Sequence, residues 1–171
     1  MISAVRGRGC YVNNERITAS PMDEIDDYNK GKRYQSILSQ SLINVGYPIK
    51  SPSTLEVSAR AISALSTQVR GLRIMACASQ TMAWVAQSKF DAYIGWDLNV
   101  WDVAAGLVIV EESGGHVCNF DGSRADIMSR DMIITCGYRR RCSEEFEDDD
   151  DTLMLKDELI QVLKDHNCME Y

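Results

Sequence analysis

The chain has 171 residues, 45% of them hydrophobic and 25% charged. That is enough for one domain with its own core and short of a comfortable two. The formal net charge is -7, but the run EEFEDDDD at 144–151 supplies seven acids, and outside it acids and bases balance. The acidity is a local, solvated run. The short RRR at 139–141 abuts it and makes no basic stripe, so no nucleic-acid partner is expected. No apolar stretch approaches the ~20 residues that cross a bilayer, and the N-terminal MISAVRGRGCYVNN has no apolar leader segment. No membrane partner is expected, and the simplest compartment is cytoplasmic.

In chain order, residues 7–20 (GRGCYVNNERITAS) predict a strand, a tight turn at Asn13-Asn14 and a second strand. Residues 21–34 are polar and broken by Pro and Gly, hence a loop. Residues 41–48 hold a short strand closed by Gly46 and Pro48. A helix follows, capped by Ser53 or Thr54, with Leu55, Ala59, Ile62, Leu65 and Val69 on one face and Gly71 at its end. Residues 72–75 read as a brief strand. CASQTMAWVAQSK (77–89) is a second helix with Met82, Val85 and Ala86 inward, and DAYIGW (91–96) another strand. A third helix spans about 102–112, stopped by Gly114-Gly115. Strands at 116–120 and 132–136 flank a turn at Asp121-Gly122. Closing the acidic run, residues 151–166 (DTLMLKDELIQVLKDH) are amphipathic, capped by Asp151 or Thr152, with Leu155, Leu159, Val162 and Leu163 inward. Strands and helices interleave, which defines an α/β class or a mixed α+β sandwich.

The cysteines, six in all, are Cys10, Cys77, Cys118, Cys136, Cys142 and Cys168. None forms a C-x-x-C pair and no His stands at zinc-finger spacing. Four lie in or beside apolar runs, as small buried thiols do. They read as structural, reduced side chains.

The third helix carries the sharpest signal. From Val103 to Glu112 only Gly106, Glu111 and Glu112 are not apolar, so the helix is expected to be buried on most sides. A carboxylate at its mouth, Asp102, must then be matched by something. It suits an N-cap, accepting the first free N–H groups at the positive end of the helix. It also suits a ligand for Mg²⁺ at the edge of a cleft, with N–H groups turned to a phosphate. One oxygen can do each, so both roles stand together.

The stretch WDVAAGLVIVEESGGHVCNFDG resembles the C-terminal signature of the inositol monophosphatase family, W-D-x-A-[AG]-G, an apolar run, an acidic residue, a small residue and G-G. Trp101, Asp102, Ala104, Gly106, Val110, Glu112, Gly114 and Gly115 stand in register with it. RGRGCYVNNERITAS resembles the family's central β-hairpin, and GLRIMACASQTMAWVAQSKFDAYIGW the segment before the signature. The resemblance runs over about residues 3 to 137. It implies a lithium-sensitive, Mg²⁺-dependent phosphomonoesterase in which metals polarise the phosphate and activate a water for in-line attack. It places Asp102 on a metal ligand that also meets a substrate hydroxyl. It places Ala76, Cys77 and Ala78 on a loop whose backbone approaches the inositol ring; by residue type alone these three read as plain packing. Gly95 falls where inositol-specific members carry a ring-binding glutamate. Asp97, two residues on, would share its face on a regular strand.

Two departures qualify the resemblance. Without a carboxylate at Gly95, another small phosphate ester gains weight; related branches act on histidinol phosphate, fructose bisphosphate and phosphoadenosine nucleotides. The chain also has no D-P-[IL]-D-G-T motif, which supplies most metal ligands in the family. The fold expected is therefore the C-terminal half of the family's layered αβαβα sandwich, a mixed sheet with flanking helices. Its parts would be an αβ region at 1–137, an acidic loop at 138–151, and a helix and tail at 152–171. One carboxylate does not assemble a Mg²⁺ pair, so no residue is assigned a catalytic role and the isolated chain is expected to be inactive. The expected ligand is a small phosphorylated polyol. The expected protein partner is a second copy of the chain or a full-length family member. A non-catalytic dimerisation or regulatory half-domain is the alternative; no G-x-G-x-x-G or P-loop supports a nucleotide-binding module.

Overall fold

A computed structural model describes residues 1–19, 36–48, 51–137 and 154–170. The expected loop at 21–34, the acidic run, Cys142 and the proposed caps Asp151 and Thr152 lie outside the described residues.

Two sheets form. Strands β1 (Ile2–Val5), β2 (Gly9–Val12) and β3 (Glu15–Ile17) make an antiparallel meander. Asn13 and Asn14 turn β2 into β3 with φ of 50° and 71°, the left-handed pair that a two-residue hairpin turn demands. β1 escaped the sequence reading because ISAV is short and carries no turn signal before it.

The second sheet is mixed and has the order β5-β4-β6-β8-β7. It comprises β4 (Leu42–Val45), β5 (Gly71–Arg73), β6 (Ala92–Gly95), β7 (His116–Asn119) and β8 (Met132–Thr135). β4 runs parallel to β5 and β6; β8 runs antiparallel to β6 and β7. Buried Asp91 ties the start of β6 to β4, accepting the Leu42 N–H at 2.6 Å with Arg70 3.6 Å away.

Helices α1 (Pro52–Ser66) and α4 (Leu155–Asp165) cover one face of this sheet. Helices α2 (Ala78–Val85) and α3 (Val100–Glu112) cover the other, with the meander beyond α3. The layers are thus helix, mixed sheet, helix and second sheet, the mixed sheet with flanking helices that the sequence predicts.

Four helical expectations need correction. α1 is capped by Ser51, whose Oγ accepts the Thr54 N–H at 3.2 Å, and starts with Pro52 in its first turn. Its buried stripe is Thr54, Val57, Ser58, Ala61, Ala64 and Leu65, while Ala59 is exposed. Small and hydroxylated residues face inward because Ser58 returns its O–H to the Leu55 carbonyl, so residue polarity misassigned the face. The helix also ends at Ser66, and Gly71 instead opens β5. Finally, α3 is not buried on most sides: Trp101 is 80% exposed, and Val100 and Ala105 are exposed as well.

Other expectations hold. Met82, Val85 and Ala86 are buried, as are Leu155, Leu159, Val162 and Leu163. A short 3₁₀ turn at Leu38–Gln40 is held by α4, since Glu158 accepts the Ile37 and Leu38 N–H groups, each at 3.0 Å. Cys10, Cys118, Cys136 and Cys168 are buried free thiols, whereas Cys77 is free and exposed. Where α2 crosses α3, a Cβ on Gly106 would lie 2.5 Å from the buried Met82 sulfur. Only hydrogen fits there.

Candidate active site at the ends of the parallel strands

The carboxyl ends of β4 and β6 lead into Gly46 and Gly95, and in open α/β sheets such strand ends are where ligands settle. The starts of α2 and α3 converge on the same place. Each places free N–H groups and a positive dipole end there.

α3 begins at Val100 and its N-cap is Asn99. Asp102 is therefore not the cap. It stands in the first turn and reaches back, its Oδ2 accepting the Asn99 N–H at 3.1 Å and the Asn99 side-chain amide at 3.2 Å. This is the return half of a capping box. The sequence reading missed it because Asn99 sits behind the apolar pair Val100-Trp101. Oδ1 receives no hydrogen bond among the described residues. Half-buried beside the exposed Trp101, the carboxylate is open to solvent, not sealed in the core.

Cys77 is the N-cap residue of α2, in extended conformation. Its thiol is held below the ordinary value, chiefly by the Ser79 hydroxyl at 3.5 Å and then by the Gln80 backbone, against the opposing charge of Asp102. Ala76 is exposed and Ala78 half-buried, so of the three loop residues only Ala78 packs onto the core.

Gly95 closes the group through a residue that sequence reasoning overlooked, Tyr93. In register, Asn44 of β4 pairs with Tyr93 of β6. Since side chains alternate along a strand, Asn44 and Gly46 share a face with Tyr93 and Gly95. The Tyr93 hydroxyl lies 2.9 Å from where a Gly95 Cβ would stand and 3.1 Å from that of Gly46. Burial, then the charges of Asp102 and Cys77, push this phenol well above the usual tyrosine range. Asp102 and Cys77 are thus near enough for their charges to act on the Tyr93 phenol. The alternation Tyr-x-Gly at the end of an apolar strand was the available signal.

Asp97 does not substitute at Gly95. β6 has ended by then, and Asp97 is left-handed with φ of 49°. Its carboxylate pairs with Arg130, and its N–H donates to Asp131 at 2.8 Å.

Among the described residues no group of three or more His, Cys, Asp or Glu side chains is placed to hold a metal ion. A Mg²⁺ ion asks for six oxygens, and Asp102 offers one free oxygen. The described residues therefore do not by themselves make a metal centre.

The chain is a layered α/β fold with a carboxylate, two helix starts and two glycines at its parallel strand ends. The chain belongs to the inositol monophosphatase family, whose sequence profile matches residues 1–147. It is 29% identical over 134 residues to a fructose-1,6-bisphosphatase/inositol-1-monophosphatase of Thermotoga maritima, covering 78% of this chain and 45% of that protein. It is 30% identical over 128 residues to the Nus factor SuhB of Xylella fastidiosa, covering 75% and 42%. Its fold matches an IMPase structure from Thermotoga maritima with TM-score 0.69 at 25% identity, covering 96% of this chain and 51% of that one. An inositol monophosphatase from Anabaena matches with TM-score 0.71 at 23% identity, covering 96% and 54%. The chain thus spans about half the length of the relatives it matches.

Proposed function

We propose that the chain forms the substrate-facing half of a Mg²⁺-dependent phosphomonoesterase acting on a small phosphorylated alcohol. One observation carries this reading: Cys77 at the start of α2, Asp102 in the first turn of α3 and Gly95 at the end of β6 all lie within reach of Tyr93 at the parallel strand ends. Helix starts receive phosphate through N–H groups and dipole. Asp102 keeps one oxygen for a cation while the other fixes its orientation on Asn99. The loop at Ala76, Cys77 and Ala78 presents backbone to the alcohol. A structural relative with inositol monophosphate bound supports the ligand class. The remaining metal ligands must come from outside the described residues, so the chain alone is expected to be inactive.

The test is phosphate release from inositol 1-phosphate with and without Mg²⁺. No turnover is expected from the chain alone, and turnover is expected once a polypeptide bearing a D-P-x-D-G-T motif associates with it. Turnover that persists in Asp102→Ala overturns the reading.

A second reading, a non-catalytic module that binds a partner protein, draws on the relatives named Nus factor SuhB and on the exposed Trp101. A stable association with the complementing polypeptide that remains inactive at saturating Mg²⁺ would favour it.

A further inference from the structure

We propose that the outer edge of β1 is the surface on which a second copy of this chain docks, by antiparallel pairing of β1 with β1 about a twofold axis at Ser3. The proposal goes beyond the phosphomonoesterase reading and uses none of its residues.

Among the described residues the sheet edges are guarded unequally. The mixed sheet ends in β5 and β7, the meander in β1 and β3. An unpaired strand edge accepts another strand unless it is charged or covered. On β3, Glu15 and Arg16 stand exposed. On β5, Arg73 turns its guanidinium onto the Leu72 carbonyl at 2.8 Å. On β7, Cys118 bridges to Arg124, and the Asn119 N–H donates to the Ser123 carbonyl at 2.8 Å. β1 has no such guard: Ile2, Ser3, Ala4 and Val5 carry no charge, and their outer side meets no strand among the described residues. Apolar side chains stand in water along it, Val5 at 58% exposure and Met1 at 88%.

The register makes this edge self-complementary. Ile2 lies opposite Val12 on β2, and the Asn13 N–H donates to the Met1 carbonyl at 2.9 Å. Backbone groups alternate along an antiparallel ladder, so Met1, Ser3 and Val5 bond toward β2 while Ile2 and Ala4 turn their N–H and C=O outward. Side chains alternate too: Met1, Ser3 and Val5 are exposed, Ile2 and Ala4 half-buried. A twofold axis at Ser3 sets Ile2 of each copy opposite Ala4 of the other, so outward N–H groups meet outward carbonyls. It also sets Val5 opposite Met1 of the second copy, and the exposed apolar side chains cover each other. No like charges meet. Such a contact is isologous and closes at two copies. The edge is short, so the association is weak and depends on concentration.

The experiment is sedimentation velocity on the full chain over a wide concentration range under reducing conditions. A monomer–dimer equilibrium that stops at the dimer is expected. Ser3→Lys sets like charges face to face at the axis and should raise the concentration of half-association severalfold. Ala4→Pro removes an outward N–H that β2 does not use, a position where edge strands tolerate proline, and should raise it by about tenfold. Register is read by oxidative cross-linking on a Cys77→Ser background. Ser3→Cys brings two Cα atoms to about 4.5 Å, within disulfide reach, and should yield a covalent dimer. Val5→Cys leaves them about 13 Å apart along the strands and should not. A chain that stays monomeric throughout, association that continues past the dimer, a dimer untouched by both Ser3→Lys and Ala4→Pro, or cross-linking of Val5→Cys as readily as Ser3→Cys each overturns the proposal and leaves the phosphomonoesterase reading standing. If Ala4→Pro does not fold, the substitutions at the exposed positions Ser3 and Val5 decide.

Discussion

Carboxylates stand at both ends of α3, and they are used differently. At the C-terminal end, Glu112 is fully committed: Oε1 accepts the Gly7 N–H and Oε2 the Gly9 N–H, both at 2.7 Å. Beside it, Glu111 bridges Arg6 and Arg124, each at 3.1 Å. At the N-terminal end, Asp102 spends one oxygen on Asn99 and leaves the other open. Glu112 joins layers, gripping the turn between β1 and β2 from more than a hundred residues away in sequence. Asp102 stays within its own helix turn. The same residue class serves as a fastener where both oxygens meet fixed donors, and remains available for chemistry where only one does.

The comparison is sharpened most by removing Glu112. In Glu112→Ala two backbone donors lose their acceptor and the meander loses its anchor on α3. The hydrogen-exchange rates of the Gly7 and Gly9 amides should rise by at least about tenfold, with those of Ile133 and Ile134 in β8 changing less. Uniform loss of protection across both sheets would mean that the meander and the larger sheet open as one unit.

Acid titration gives the next largest effect. The two glycine N–H groups, with help from the Arg8 backbone and the Arg6 charge, hold the Glu112 carboxyl below its ordinary value. A carboxyl depressed in the folded state binds fewer protons there than when unfolded. Its contribution is therefore complete above the unfolded carboxylate value and declines as pH falls through the folded one. Urea midpoints measured from pH 7 down to pH 3 should decline at the acid end, and Glu112→Gln should flatten that decline. An unchanged slope in Glu112→Gln would show that other carboxyls, such as Asp121 with its Ser123 donors, dominate.

Much of this was legible in the sequence and some was not, for definable reasons. The periodic inner stripe of α4, the Asn13-Asn14 turn and the apolar strands follow from local pattern, and the structure has them. The start of α3 does not, because a capping box whose first member is an asparagine followed by Val-Trp hides inside an apolar run. The inward face of α1 was misread because serine and threonine satisfy their hydroxyls on the helix backbone and then pack like small apolar groups. In the site, motif likeness singled out Gly95, Asp102 and the loop at Cys77. Tyr93 and Asn44 were invisible because their meaning comes from register across two strands 49 residues apart, which no local window contains.

Asn44 extends the comparison to a polar group with no partner. It is fully buried on β4, and neither its amide nitrogen nor its oxygen has a hydrogen-bond partner among the described residues. Such a group bears its desolvation cost without return, and an apolar side chain of the same shape is neutral or stabilising. Asn44→Leu should raise unfolding stability by about 1 kcal/mol, read as a higher urea midpoint at constant slope. A loss of similar size would mean that the amide is satisfied in solution.

The smallest stability effect is expected at Asp102, and its smallness is what the contrast with Glu112 turns on. The Asn99 N–H that Asp102 accepts lies at a half-buried helix start, where water replaces the carboxylate at little cost. Losing one such capping contact costs about 0.5–1 kcal/mol. Asp102→Ala should therefore shift the urea midpoint slightly, fray only the first turn of α3, and leave the Gly7 and Gly9 amides protected. The same substitution should abolish phosphate release in the complemented enzyme. A side chain that matters little to folding and decisively to turnover is one that the fold keeps for a ligand. Equal stability losses in Asp102→Ala and Glu112→Ala would break that distinction and make Asp102 a second fastener.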